Sequence, residues 1–146
     1  MRFAAAQGSF DAPDHWLTHE GVGVTDAPPD LDGGAIRRSV VVILDAADPQ
    51  RSPEQWCALQ RNLLEGSLVG LAWIDDGTVE RSGSTTRATF CYQLDPPGDP
   101  PVIQWLTAIF HGAWVAIITT TAPDADPGEA EDAHALAVTT YAFPDG

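Results

Sequence analysis

Apolar residues along this chain come in short runs separated by Gly, Pro and Asp, and most of the runs have a strand period. Ile36 to Leu44 holds the β-branched run Val40-Val41-Val42-Ile43, which predicts a strand covered on both faces. Arg2 to Gln7 and Trp16 to His19 suit two short strands, with a turn region from Gly8 to Asp14 between them. Gly21 to Gly34 reads as an irregular loop containing a strand fragment, Val22 to Val24. Leu68 to Ile74 is a further strand, and Asp76-Gly77 is a favoured hairpin turn. Thr78 to Arg81 then forms the return strand, or a short extension before Ser82-Gly83-Ser84. Thr85 to Leu94 follows, and Pro96 to Pro101 ends it. Val102 to Phe110 and Ala113 to Thr121 form a hairpin about His111-Gly112; both are apolar on both faces in their middle parts, which places them centrally in a sheet.

Two segments have helical signals. Ser52 is suited to N-cap a helix, with Pro53 at its first position and Gln55 completing a capping box. Trp56, Leu59, Leu63 and Leu64 then share a helical face, and Gly66 is placed to stop the helix. A second helix is expected from a cap at Asp126, with Pro127 next and Glu129 three residues after the cap. Ala130, Ala133, Leu136 and Ala137 give it a narrow face that can approach a sheet closely. The order of strands, helix, strands and helix predicts an α+β sandwich: one domain over residues 1–146, with an antiparallel sheet of about six strands and helices packed on it.

Charge narrows the partners. Seven basic residues, all Arg, face twenty-one acidic ones, for a net charge of -14. Such a surface repels phosphate backbones and anionic membranes, so nucleic acid and membrane partners are disfavoured, while a basic or apolar protein segment is not. No apolar run approaches the length of a spanning helix, and the start of the chain has too few apolar residues for a signal peptide; a cytoplasmic protein is expected. Cys57 and Cys91, on a helix and a strand, read as small buried apolar residues.

The usual catalytic and cofactor motifs are missing, and no cofactor is expected. His15 and His19 lie four apart; on a strand that separation is about 13 Å, too far for one metal ion. His111 reads as a solvated turn residue, and His134 as a helix residue in contact with Glu131. Asp75/Asp76 and Asp124/Asp126 sit in turns, where aspartates serve turn geometry. Ser82, Ser84, Thr85 and Thr86 have no His/Asp partner placed by any motif. No catalytic residue and no metal ligand is assigned.

Trp16, Trp56, Trp73, Trp105 and Trp114 are many tryptophans for this length, and core packing accounts for most. Any on an open sheet face would anchor an apolar partner segment. Trp105 and Trp114 flank the His111-Gly112 turn, and strand periodicity puts both on one face. Trp73, Trp105 and Trp114 are therefore the candidate partner-binding residues.

The order of landmarks resembles the PsbP-like fold group, which includes DcrB-related and LpqN-like bacterial proteins. The resemblance rests on Phe10-Asp11-Ala12-Pro13-Asp14-His15-Trp16 after the first strand and on Gly83-Ser84-Thr85-Thr86-Arg87-Ala88 at a turn into a strand. It rests also on Gln104 with His111-Gly112-Ala113-Trp114 and Thr119-Thr120-Thr121-Ala122-Pro123 in the central hairpin, and on the Ala-rich helix before Thr139-Thr140-Tyr141. The resemblance implies a fold that acts by binding proteins and has no shared catalytic site. The function expected is that of a non-enzymatic chaperone or adaptor, for instance for a secreted effector. Two alternatives stand beside it: an immunity-type inhibitor of a basic toxin, and a small-ligand domain or enzyme with a pocket between sheet and helix.

Overall fold

In the computed structural model of the chain, the described residues are 1–19, 22–26 and 38–144, without the side chain of His19. Nine strands and two helices lie in this part of the chain. β1 (Arg2–Ala5) and β2 (Gly8–Asp11) form a small hairpin of their own. The main sheet contains β3 (Leu17–His19), β4 (Gly23–Thr25), β5 (Ser39–Ala46), β6 (Leu71–Ser82), β7 (Thr85–Leu94), β8 (Val102–His111) and β9 (Trp114–Pro123). Its spatial order is β3-β4-β5-β9-β8-β7-β6, and every pairing is antiparallel. The α+β sandwich expected from the sequence is therefore present, with one more strand in the main sheet than the six anticipated. Gly8 to Asp11, read as a turn, is strand β2. Ile36 and Arg37, the start of the expected valine strand, lie outside the described residues.

α1 (Pro53–Ser67) packs on β6 and β7 from one side, and α2 (Ala130–Thr140) packs on β9, β5 and β8 from the other. The capping box at α1 forms as expected: the Gln55 amide donates to Ser52 Oγ (3.1 Å) and the Ser52 amide donates to Gln55 Oε1 (2.8 Å). α2 starts later than the sequence suggests. Its cap position is Glu129, with no side-chain cap, because the Asp126 and Pro127 carbonyls accept from the Arg38 guanidinium at 2.6 and 3.0 Å. The expected cap residue is thus committed to an arginine of β5's entry, which also bonds Asp26 at 2.8 Å.

The pair Asp76-Gly77 does not turn the chain. β6 continues through it as a twelve-residue edge strand with register shifts on either side of Asp75 and Asp76. Asp75 Oδ1 accepts from the Gly77 amide (3.1 Å) and from the Thr78 hydroxyl (2.9 Å), so the turn-forming residues build a bulge. The true reversal is at Gly83, whose φ of +60° needs glycine. The β8–β9 turn falls at Gly112-Ala113, with His111 opposite Trp114 and Trp105 opposite Thr120. That register differs by two residues from the sequence reading, and a two-residue shift preserves which face each side chain takes.

Strand alternation divides the core into two layers. Val40, Val42, Ile118 and Ile109 pack under α2 with Phe3, Phe10 and Trp16. Phe90, Tyr92, Ala108 and Val115 pack under α1 with Cys57. His134 belongs to the first layer. The sequence suggests a contact with Glu131, but His134 is only 6% exposed. Its Nε2 and Nδ1 lie 2.8 and 2.7 Å from the hydroxyls of Thr107 and Thr120 on the sheet below. The small residues Ala130, Ala133 and Ala137 bring α2 close enough for this contact.

Candidate functional site

Neither helix is wide enough to cover seven strands. α1 lies over β6 and β7, and on its side of the sheet no other described element lies over β5 and β9. The residues of β5 and β9 that point to this side are Val41, Ile43 and Asp45, opposite Thr119, Ile117 and Val115. Ile43 is 56% exposed, and Val41 and Ile117 are partly so. Among the described residues the valine run is thus covered on one face only, against the expectation of two covered faces. A β-branched strand forms either way, since the backbone preference of Val and Ile does not depend on what lies above the second face.

The helix supplies the wall of this trough. Cys57 and Leu64 turn toward the sheet, with Cys57 alone fully buried. Glu54, Arg61 and Glu65 take the flank over β6, where they hold Arg81, Asp76 and the Trp73 indole. Trp56, Gln60 and Leu63 recur at helical spacing on the opposite flank, above the uncovered strands. Leu63 is 51% exposed and Leu59 is also exposed, so the apolar face read from the sequence is split. Half of it serves the core, and the other half faces solvent beside the open strip.

At its deeper end the trough narrows to a hollow of about 170 Å³ between Trp56, Phe110, Val115 and Ile117. Trp56 is held there by an edge contact with Phe110, ring centroids 5.4 Å apart at 84°. The mouth carries Asp45 and Asp48, both exposed, with Arg51 4.0 Å from Asp48. The arrangement offers an apolar floor and wall with carboxylates at the rim, and no polar side chain is buried in it.

The other face has an open half too, over β6 and β7, and its composition is different. Thr78, Glu80, Thr85, Arg87, Thr89 and Gln93 point to that side, and Ile74, at the bulge of β6, is the one large apolar residue exposed beside them among the described residues. A polar surface of this kind is stable in water, whereas the apolar strip over β5 and β9 is not.

The three candidate tryptophans do not form one surface. Trp105 and Trp114 share a face, as periodicity requires, but that face is the one under α2. Trp105 is 8% exposed and packs with Cys91, Ala122 and Ala130. Trp114, at the end of the hairpin, is 50% exposed. Trp73 lies on the opposite face, tilted against Phe90 and edge-on to Tyr92, with its Nε1 donating to Glu65 at 2.9 Å. Ile43, Ile117, Trp56 and Leu63, which lie along the trough, were not assigned to a binding surface from the sequence. The available signal was Leu59 and Leu63 lying too far around the helix from Cys57 for all of them to be core.

A closed pocket between sheet and helix is not formed by Tyr92, Arg87 and His111. Tyr92 is buried in the α1 layer, where burial pushes its hydroxyl up to about 12. His111 and Arg87 border a hollow on the other face that is open to solvent. Cys57 and Cys91 are both buried free thiols, and burial raises both, Cys91 to about 11, so neither is an activated nucleophile. No described helix is long and apolar enough to cross a membrane.

Three solved structures superpose on the whole of this architecture. LpqN of Mycobacterium tuberculosis, described as involved in cell envelope biogenesis, aligns with a TM-score of 0.67 at 18% identity, over 92% of this chain and 82% of its own. Cyanobacterial PsbP from Synechocystis aligns with a TM-score of 0.66 at 9% identity, over 99% and 92%. The chain has the PsbP-like fold. A third match is PA94 of Pseudomonas aeruginosa, described as a protein of unknown function, with a TM-score of 0.65 at 20% identity over 100% and 97%. No protein-family model and no curated protein matches the sequence. At these identities the PsbP-like likeness establishes the fold and carries no site residue across.

Proposed function

We propose that this PsbP-like domain is a non-enzymatic chaperone or adaptor that holds an apolar segment of a partner protein, flanked by basic residues, in the trough between α1 and the β5–β9 strip. A cytoplasmic location accords with that role. The observation that carries the reading is the uncovered apolar strip itself. Ile43 on the strip is 56% exposed and Leu63, on the helix flank that carries Trp56 and Gln60, is 51% exposed, while the other open sheet half is mostly polar. Covering the exposed half of each side chain would contribute about 1 kcal/mol. Asp45 and Asp48 at the mouth, and the net charge of -14, favour a partner with basic flanks over a second copy of this chain. The same surface would serve an immunity-type inhibitor, which differs in having an affinity that falls steeply with salt.

A photo-crosslinking residue placed at Ile43, with a second placement at Thr78 on the polar half as control, tests the proposal in native lysate. One discrete adduct from position 43, absent from position 78 and displaced by a synthetic peptide alternating leucine with lysine, is expected. Equal labelling from both positions, or indifference to the peptide, would refute it.

A further inference from the structure

The face opposite the trough holds a second hollow. Where the chain leaves α2, Val138, Tyr141 and Phe143 run past Ile109 of β8, and Thr85 and Arg87 of β7 lie beyond it. They enclose about 340 Å³, open on one side. The wall made by this tail is fixed. The Tyr141 hydroxyl donates to the Gln7 carbonyl at 2.6 Å, and Ala142 exchanges two backbone hydrogen bonds with Ser9. Phe143 lies against Tyr141 and over His111, ring centroids 5.0 and 5.5 Å away. A rigid apolar pocket wall thus faces a strand that ends in a cation and a hydroxyl.

Arg87 is the unusual member. Among the described residues, Arg2, Arg38, Arg51, Arg61 and Arg81 each have a carboxylate within 4.0 Å. Arg87 has none among these residues, in a chain with three times as many acidic as basic residues. Its cross-strand neighbours are Ile109 on one side and Glu80 on the other. The residue is half-buried, and its planar fork is suited to a carboxylate. The nearby Glu80 and the overall negative field oppose a doubly charged ligand more than a singly charged one.

We propose that this hollow binds a small monocarboxylic acid with a flat or branched apolar body. The carboxylate is taken by Arg87 and the Thr85 hydroxyl, and the body lies between Ile109, Val138 and Phe143. The same chemistry could be presented by a free acid or by the C-terminus of a peptide with an aromatic last residue; the hollow's size favours the free acid. Titration of the ¹⁵N-labelled chain, followed by NMR, separates the possibilities. Phenylacetate is expected to shift the amides of Thr85, Arg87, Ile109 and Phe143 saturably. Phenylacetamide, which has the body without the charge, and acetate, which has the charge without the body, should each bind at least about tenfold more weakly. Arg87→Gln should weaken phenylacetate by at least about tenfold, Arg87→Lys by less, and Glu80→Gln should tighten it. A peptide such as acetyl-Ala-Ala-Phe binding about tenfold more tightly than phenylacetate would keep the site and assign the carboxylate to a chain terminus. The proposal is overturned if phenylacetate gives no saturable shifts up to about 10 mM, if the amide binds as well as the acid, or if Glu80→Gln and both Arg87 variants leave binding unchanged.

Discussion

His134 gives the fold a pH limit that can be worked out from its surroundings. The imidazole sits between α2 and the sheet, with both ring nitrogens engaged by threonine hydroxyls. A hydroxyl can donate or accept, so the neutral ring is satisfied in either tautomer, and no buried acid rewards a proton. Burial alone lowers the pKa, from the ordinary 6.5 to about 4. In the unfolded chain the histidine takes up its proton near pH 6.5; in the folded chain it resists until about pH 4. The stability this neutral histidine allows is therefore fully present above pH 6.5 and is lost as the pH falls toward 4. A displacement of that size corresponds to about 3 kcal/mol, a large share of the 5–15 kcal/mol that typically holds a domain together. Urea unfolding at several pH values between 7.5 and 4 measures the loss. Carboxylates titrate at the acid end of this range, so the comparison needs His134→Gln, which keeps hydrogen-bonding capacity without the titration. That variant should be about 1–2 kcal/mol less stable than wild type at neutral pH, through lost packing. Its stability should fall less on acidification, so that the two curves cross between about pH 5 and 6 and the variant is the more stable of the two at pH 4. Curves that stay parallel from pH 7.5 to 4 would show that the folded state accommodates the imidazolium, and the burial argument would be wrong.

Other perturbations have definite expected outcomes. Ser52→Ala removes the side-chain half of the α1 capping box and should cost about 1 kcal/mol in urea unfolding, with Ser52→Asp restoring most of it. Arg38→Lys keeps the charge but loses the fork that spans Asp26, the Asp126 carbonyl and the Pro127 carbonyl; a loss of about 2 kcal/mol is expected, and faster amide exchange at Gly128 to Ala130 should accompany it. Gly23→Ala would place a Cβ 1.9 Å from the Val40 carbonyl oxygen, so β4 must separate from β5; a loss of about 3 kcal/mol or failure to fold is expected, while Gly66→Ala, which meets nothing, should be neutral or stabilising. Leu63→Asp should leave the unfolding free energy within about 0.5 kcal/mol of wild type and abolish the crosslinking from position 43, since its side chain is already half in water.

What the sequence made legible were the features set by neighbouring residues. The Ser52-Pro53-Glu54-Gln55 box specifies its own geometry, and α1 begins where those residues place it. The strands from Thr85 to Thr121 follow from alternation and length, and even a register displaced by two left each side chain on its proper face. Features set by distant partners were not legible. Asp126 has the composition of a cap, but Arg38, 88 positions earlier, claims its carbonyl. His134 reads as a surface residue until the hydroxyls of Thr107 and Thr120 are placed beneath it. The trough was hidden for a related reason. Ile43 looks like core in any local window, and its exposure follows only from α1 being placed over β6 instead of β5.

The bulged edge bears on how a guest could be recognised at all. Two register shifts and the acids Asp75, Asp76 and Glu80 make β6 a poor template for an added strand, and β3 at the other margin has only three residues. A visiting polypeptide is thereby denied the main-chain ladder, whose hydrogen bonds accept almost any sequence in extended form. Selectivity must come from how the visitor's side chains fill the groove, so a helical guest is as admissible as an extended one.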